Sequence, residues 1–161
     1  MEIITVRTAV PADLDILLGF EQGIIAAERP FDPTLKEGHI NYYDIAEMIK
    51  ASHIEVVVAE FGNEIIGGGY ARIEPSKTYL KHREHAFLGF MYVKPEHRGR
   101  GVNSMVIEAL KQWAVTQGIT EFRLQVYNDN LPAIKAYEKV GFTGYLLEMR
   151  MGLTDIDSEK F

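Results

Sequence analysis

The stretch Tyr92-Val93-Lys94-Pro95-Glu96-His97-Arg98-Gly99-Arg100-Gly101-Val102-Asn103-Ser104 joins an apolar run to an amphipathic one, and its reading decides the fold. Upstream, residues 86–93 (AFLGFMYV) are almost wholly apolar, the composition of a central strand covered on both faces. Downstream, Val102, Met105, Val106, Ala109, Leu110 and Trp113 recur at helical spacing on one face, and Gly118 closes that helix. A strand that passes through a turn into a helix leaves unpaired backbone N–H groups at the helix start, which suits an anion. Gly99 and Gly101 let the backbone approach a phosphate closely, and Lys94, Arg98 and Arg100 add positive charge. No Gly-Lys-Ser/Thr follows the glycines, so this is not a P-loop. A dinucleotide fingerprint would carry glycine at 104, where this chain has Ser104. Taken alone, the turn also admits a purely geometric reading of its glycines.

Outward from this stretch the pattern alternates strands and helices. A short apolar strand at 3–6 precedes a helix from Asp13 to about Glu28, which Pro30 and Pro33 interrupt. A second helical stretch lies near 41–50. Residues 54–60 (IEVVVAE) read as a buried strand, Gly62-Asn63 as a tight turn, and 64–73 as the hairpin partner. After Gly118 a strand is expected at 122–127, then a short helix opening at Asn130-Leu131-Pro132 and closing at Gly141. A last strand is expected at 145–151, before a frayed polar tail at 153–161. The expected fold is α/β: a mixed, mostly antiparallel sheet of six to seven strands flanked by about four helices, in a single domain with its core at about 3–152.

Composition narrows the function classes. The 161 residues are 47% hydrophobic and 25% charged, enough for an ordinary core. Cysteine is absent, which removes disulfides, thiolate metal sites and thiol nucleophiles and suits a cytoplasmic protein. The five histidines have no metal-ligand spacing, so no metal is expected. A net charge of −6 argues against a nucleic-acid partner, and no apolar run is long enough to span a membrane. The charge is uneven. Residues 1–80 hold six Lys/Arg against thirteen Asp/Glu, whereas 81–161 hold eleven against ten.

The loop Arg98-Gly99-Arg100-Gly101-Val102-Asn103 resembles the Arg/Gln-x-x-Gly-x-Gly/Ala motif of the GNAT superfamily of acetyl-CoA-dependent N-acetyltransferases. Thirty residues on, the run from Asn130-Leu131-Pro132-Ala133 through Tyr137-Glu138-Lys139 to Gly141-Phe142 is similar to the family's second signature. Arg7, Ala9 and Asp13 match its opening more weakly. There are two departures. Asn103 stands where the family has a small Gly or Ala, and Gly89 stands where many relatives carry a glutamate as general base.

The resemblance implies acetyl-CoA as cosubstrate, with the pyrophosphate on the backbone of Arg98, Gly99, Arg100, Gly101, Val102, Asn103 and Ser104. It implies the pantetheine arm along Met91, Tyr92 and Val93, where a bulge opens the strand, and against Asn130 and Ala133. Tyr137 is the implied acid for the departing thiolate. With Gly89 unable to act, Glu84 and His85 at the start of the same strand are the candidate bases. The acceptor is expected over the first helices, where Glu28, Phe31 and Tyr42 combine carboxylate with aromatic rings, a pairing that suits a cationic amine. The partner is therefore a small-molecule or peptide amine, and a homodimer is compatible. The alternative is a non-catalytic acetyl-CoA-binding sensor or interaction module on the same fold.

Overall fold

A computed structural model of the chain describes residues 3–155. They fall into two compact units, one up to Gln125 and one from Val126 on. In the first unit the elements run β1 (Ile4–Thr8), α1 (Leu14–Glu28), α2 (Ile45–Lys50), β2 (Ile54–Phe61), β3 (Glu64–Pro75), β4 (Glu84–Val93), α3 (Val102–Thr116) and β5 (Phe122–Arg123). The second unit carries α4 (Leu131–Lys139). The sheet order is β1-β2-β3-β4-β5; the first three pairings are antiparallel and β4–β5 is parallel.

The mixed, mostly antiparallel sheet and the four helices agree with the sequence. The strand count does not: five form among the described residues rather than six or seven. Residues 145–151 alternate like a strand but join no ladder there. β5 covers two residues where 122–127 was expected. Period-2 alternation shows that a segment tolerates extension, but a strand exists only when a neighbour accepts its hydrogen bonds. The second helix begins at Ile45 rather than near 41, because the Asp44 side chain accepts the Glu47 N–H and fixes the cap there. Of the polar tail, residues 156–161 lie outside the described part.

α1 and α2 cover one face of the sheet and α3 the other. The α1 face buries Leu17, Phe20, Ile45, Met48, Val56, Val58, Tyr70 and Phe90. Val106, Leu110 and Ala114 of α3 are likewise buried. The entry of the chain into α1 is pinned electrostatically. Arg7 on β1 grips Asp13 bidentately, Nη1 to Oδ2 at 2.8 Å and Nη2 to Oδ1 at 3.0 Å, and its Nε donates to Glu60 at 2.7 Å. Asp13 also accepts the Val10 N–H at 2.8 Å. The carboxylate of Asp13 is nearly buried, and the Arg7 hydrogen bonds hold its pKa below the usual value. Because the folded pKa is depressed, this stabilisation is complete above the unfolded value of about 3.9 and is lost as pH falls through the folded one. Asp13→Asn should lower stability by about 2 kcal/mol at pH 7. Urea unfolding at pH 7 and at pH 3 checks it: the gap between the two proteins should shrink at the lower pH.

Candidate functional site

β4 is not a regular strand. Gly68 on β3 faces Tyr92, but Tyr70 faces Gly89, so two residues of β4, Phe90 and Met91, oppose the single Gly69. This is a bulge. Phe90 carries it at φ 59, a left-handed conformation that a bulky residue rarely adopts, and it is the one non-glycine residue with positive φ among those described. Its ring is buried against the α1 side. On the opposite edge, β4 pairs with β5 only at Ala86 and Phe87, so its last six residues, 88–93, have no β5 partner. The bulge interrupts the β3 side of β4 at Phe90 and Met91, and beyond Phe87 no ladder with β5 runs along Met91, Tyr92 and Val93.

The neighbouring backbone is thinned to allow this. Gly67, Gly68 and Gly69 of β3 run beside the bulge, and a Cβ at 67 would sit 2.6 Å from the Tyr92 carbonyl oxygen. Gly23 of α1 serves the same end on the other face, since a Cβ there would lie 2.7 Å from the Tyr92 ring.

Beyond Val93 the chain makes one 3-10 turn at Pro95–His97 and enters α3. Gly99 and Gly101 adopt φ of 80° and 77°, and nothing lies within 4 Å of where a Cβ would project at either. Gly101 is the N-cap and offers no side chain, so the first N–H groups of α3, at Val102, Asn103 and Ser104, face an open cradle. The basic side chains serve the loop itself. Arg98 Nε donates to the Val93 carbonyl at 3.0 Å, and its guanidinium lies 5.9 Å from the centroid of the Tyr92 ring. Arg100 stacks on Phe61 and lies 3.4 Å from Nδ1 of the buried His97. Lys94 pairs with Glu64 at 2.7 Å. Glu64, Glu96 and His97 bring ligand-type atoms within 4.8 Å of one another, and the Lys94 ammonium already supplies the cation there.

On the α1 side, the segment between α1 and α2 folds back over Tyr70. Glu21, fully buried in α1, accepts the Tyr42 and Tyr43 N–H groups through Oε2 at 3.0 and 2.9 Å. Tyr43 then packs edge-on against both Tyr70 and Phe90, with centroids 5.4 and 5.5 Å away. Glu28 and Tyr42 lie close enough to act on one another electrostatically, and Phe31 is tied to Glu28 through its backbone, its N–H donating to the Glu28 carbonyl at 2.9 Å. Burial raises the Glu28 carboxyl above its ordinary value. Burial first, and then the charges of Glu28 and Asp32, push Tyr42 up to about 12.

The two candidate bases sit at the far end of β4. Glu84 is exposed. His85 is held by both ring nitrogens, Nε2 3.3 Å from Glu74 and Nδ1 2.9 Å from Ser76 Oγ. Four residues of strand, about 13 Å, separate His85 from Gly89. Glu74 in turn binds Arg72, whose guanidinium lies over Tyr70. Tyr70 and Arg72 were missed by the sequence reading: each is one residue in a hairpin strand, and only the register brings Tyr70 to face Gly89.

In the second unit, Asn130 caps α4, its Oδ1 accepting the Ala133 N–H at 3.4 Å. Tyr137 packs edge-on against Phe142 at 6.1 Å, and the Phe142 N–H donates to the Tyr137 carbonyl.

Residues 24–142 match the family model described as the acetyltransferase (GNAT) family. Among curated relatives, the uncharacterized N-acetyltransferase YobR of Bacillus subtilis is 32% identical over 46% of this chain and 36% of its own length. Streptothricin acetyltransferase from Escherichia coli is 34% identical over 50% of this chain and 42% of its own. The matched part of the chain thus spans less than half of either relative. A solved structure, described as a "predicted acetyltransferase with acetyl-CoA" from Clostridium acetobutylicum, superposes with a TM-score of 0.68 at 20% identity, covering 96% of this chain and 99% of that one.

Proposed function

Since the chain belongs to the GNAT acetyltransferase family, we propose that it transfers an acetyl group from acetyl-CoA to a primary amine by direct attack, a small cationic amine being the acceptor. The observation that carries this reading is the open cradle of Gly99, Gly101 and the α3 start at the end of a bulged strand. Oriented N–H groups at a helix start bind a pyrophosphate without needing the arginine side chains, which are occupied in shaping the loop. The unpaired edge at 88–93 supports a pantetheine arm lying along Met91, Tyr92 and Val93. Asn130, Ala133 and Tyr137 keep the roles implied by the second signature, Tyr137 giving its proton to the departing thiolate.

Glu28, Phe31 and Tyr42 form the acceptor side. The Glu28 carboxylate beside an aromatic hydroxyl favours an ammonium or amine. A streptothricin-modifying relative and a neighbour described as an aminoglycoside 6'-N-acetyltransferase support the same amine class. Glu84 and His85 reach the bulge only through intervening groups, so any role they have in removing the amine's proton runs through water.

The test is a panel of amines incubated with acetyl-CoA and the protein, read as free thiol released and as product mass. Acetylated product from a polyamine or aminosugar, and none without enzyme, supports the reading. Acetyl-CoA that raises the melting temperature while no amine is turned over favours the sensor, which the missing carboxylate at Gly89 and the larger Asn103 in the loop motivate.

A further inference from the structure

Gly89 is not an empty position. A Cβ built there would lie 2.7 Å from the Tyr70 hydroxyl oxygen and 2.8 Å from Cε1 and Cζ of its ring. Tyr70 is 2% exposed and belongs to the core cluster, so its ring has no room to swing aside. No side chain fits at 89 while Tyr70 keeps this place, and the polar atom beside the bulge is the phenol oxygen of the next strand.

That oxygen is well supported. Tyr43 packs on the Tyr70 ring, and its hydroxyl lies within hydrogen-bonding reach of the Tyr70 hydroxyl and of the Phe90 backbone. Arg72 sits over the Tyr70 ring at 5.5 Å, held there by Glu74 at 2.6 Å. Two hydroxyls that share one hydrogen bond have one phenolic proton left over. That remaining proton is the one the pair can give to a third group. The charged groups around the pair are Arg72 and Glu74 on β3 and Glu28 of α1, which acts on Tyr43; Phe87 and Gly89 on β4 and Val56 on β2 bring none.

We propose that Tyr70, backed by Tyr43 and Arg72, takes the place of a side chain at 89 and donates a hydrogen bond to the negative charge that develops on the acetyl group as the amine attacks. A donor in this place cannot accept the amine's proton, so the acceptor reacts as its free base. The nitrogen–carbon bond forms and the carbon–sulfur bond breaks. The proton lost by nitrogen goes to solvent, and the departing sulfur takes one from Tyr137, which recovers its own from solvent. The acceptors favoured are those with a low amine pKa, such as α-amino and aminosugar groups, over lysine-like amines. This inference rests on the acyl-transfer reading.

The experiment measures kcat and kcat/KM against pH for wild type, Tyr70→Phe and Tyr43→Phe with two acceptors of different amine pKa, together with acetyl-CoA affinity. The phenylalanine variants keep the rings and so the packing. For wild type, kcat/KM should rise with pH up to the pKa of whichever acceptor is used, and move with it. Tyr70→Phe should lower kcat about a hundredfold, the loss of one donor to the reacting oxygen, with acetyl-CoA affinity and the profile's position unchanged. Tyr43→Phe should lower it up to about tenfold, as for a supporting hydrogen bond. A limb that stays at one pH for both acceptors would reveal an enzymic base and overturn the proposal. So would a Tyr70→Phe rate within threefold of wild type. If wild type binds acetyl-CoA yet acetylates no amine, the acyl-transfer reading falls and takes this one with it. If wild type turns over and Tyr70→Phe keeps pace, only the assignment of Tyr70 falls.

Discussion

Replacing Gly101 with valine is expected to abolish the rise in melting temperature that acetyl-CoA should produce in the wild-type protein if the proposed function holds. At a ligand concentration of a hundred times Kd that rise corresponds to about 2.7 kcal/mol, or roughly 5–10 °C for a chain of this size. Gly101 holds φ at 77° as the N-cap of α3. A β-branched residue there must either accept left-handed strain of about 1–2 kcal/mol or pull the loop away from the helix start. In either case its side chain projects into the space that Gly99 and Gly101 leave open. Strain alone would lower stability without touching the ligand, so a matched control is needed. Gly118, at φ 82° beyond the other end of α3, supplies it. Gly118→Val should destabilise the protein by a similar amount and keep the full acetyl-CoA response. If both variants keep that response, the cradle is not where the ligand's anionic end binds.

The largest loss of stability is expected from Gly67→Ala. Its Cβ would meet the Tyr92 carbonyl oxygen at 2.6 Å, a backbone atom fixed by the β3–β4 ladder and by the Lys94 N–H to Ile66 bond at 2.8 Å. The strands would have to separate, at a cost of about 3 kcal/mol or more. Gly69→Ala provides the contrast. Its Cβ would meet Met91 Sδ at 2.7 Å and Val106 Cγ1 at 2.9 Å, both side-chain atoms; the methionine can rotate away, and the valine must give by a few tenths of an ångström. About 1 kcal/mol is expected for it, and urea unfolding of both variants tests the order. Equal losses would mean that the sheet yields as easily as a methionine side chain.

Much of this architecture was legible in the sequence. Helical spacing from Val102 to Trp113 gave α3, and the Gly62-Asn63 turn between two apolar runs gave the β2–β3 hairpin. Gly99 and Gly101, read as letting the backbone come close to a phosphate, take the positive φ that glycine tolerates. The bulge was not readable from the residues themselves, because Phe90 is the last kind of residue local preference would put in a left-handed conformation. Packing against Tyr43 and the α1 face, together with the β3 pairings on either side of the bulge, holds it there. Residues 145–151 mislead for the opposite reason: their local pattern is that of a strand, but no local pattern specifies a partner. Gly89 was read as an absence. Its meaning depended on Tyr70, nineteen residues away in sequence and directly opposite in register.

The buried Glu21 carries a consequence for how this fold can diversify. It fastens Tyr42 and Tyr43 by their backbone, Gln22 holds the Ile40 carbonyl, and Arg29 holds those of Lys36 and Gly38. These anchors read main chain, so they hold the path of the segment without dictating most of its side chains; Tyr43, packed on Tyr70 and Phe90, is a fixed exception. Exposed positions such as Lys36, Glu37 and His39 can therefore change while the path of the segment and the seat of the phenol pair stay the same.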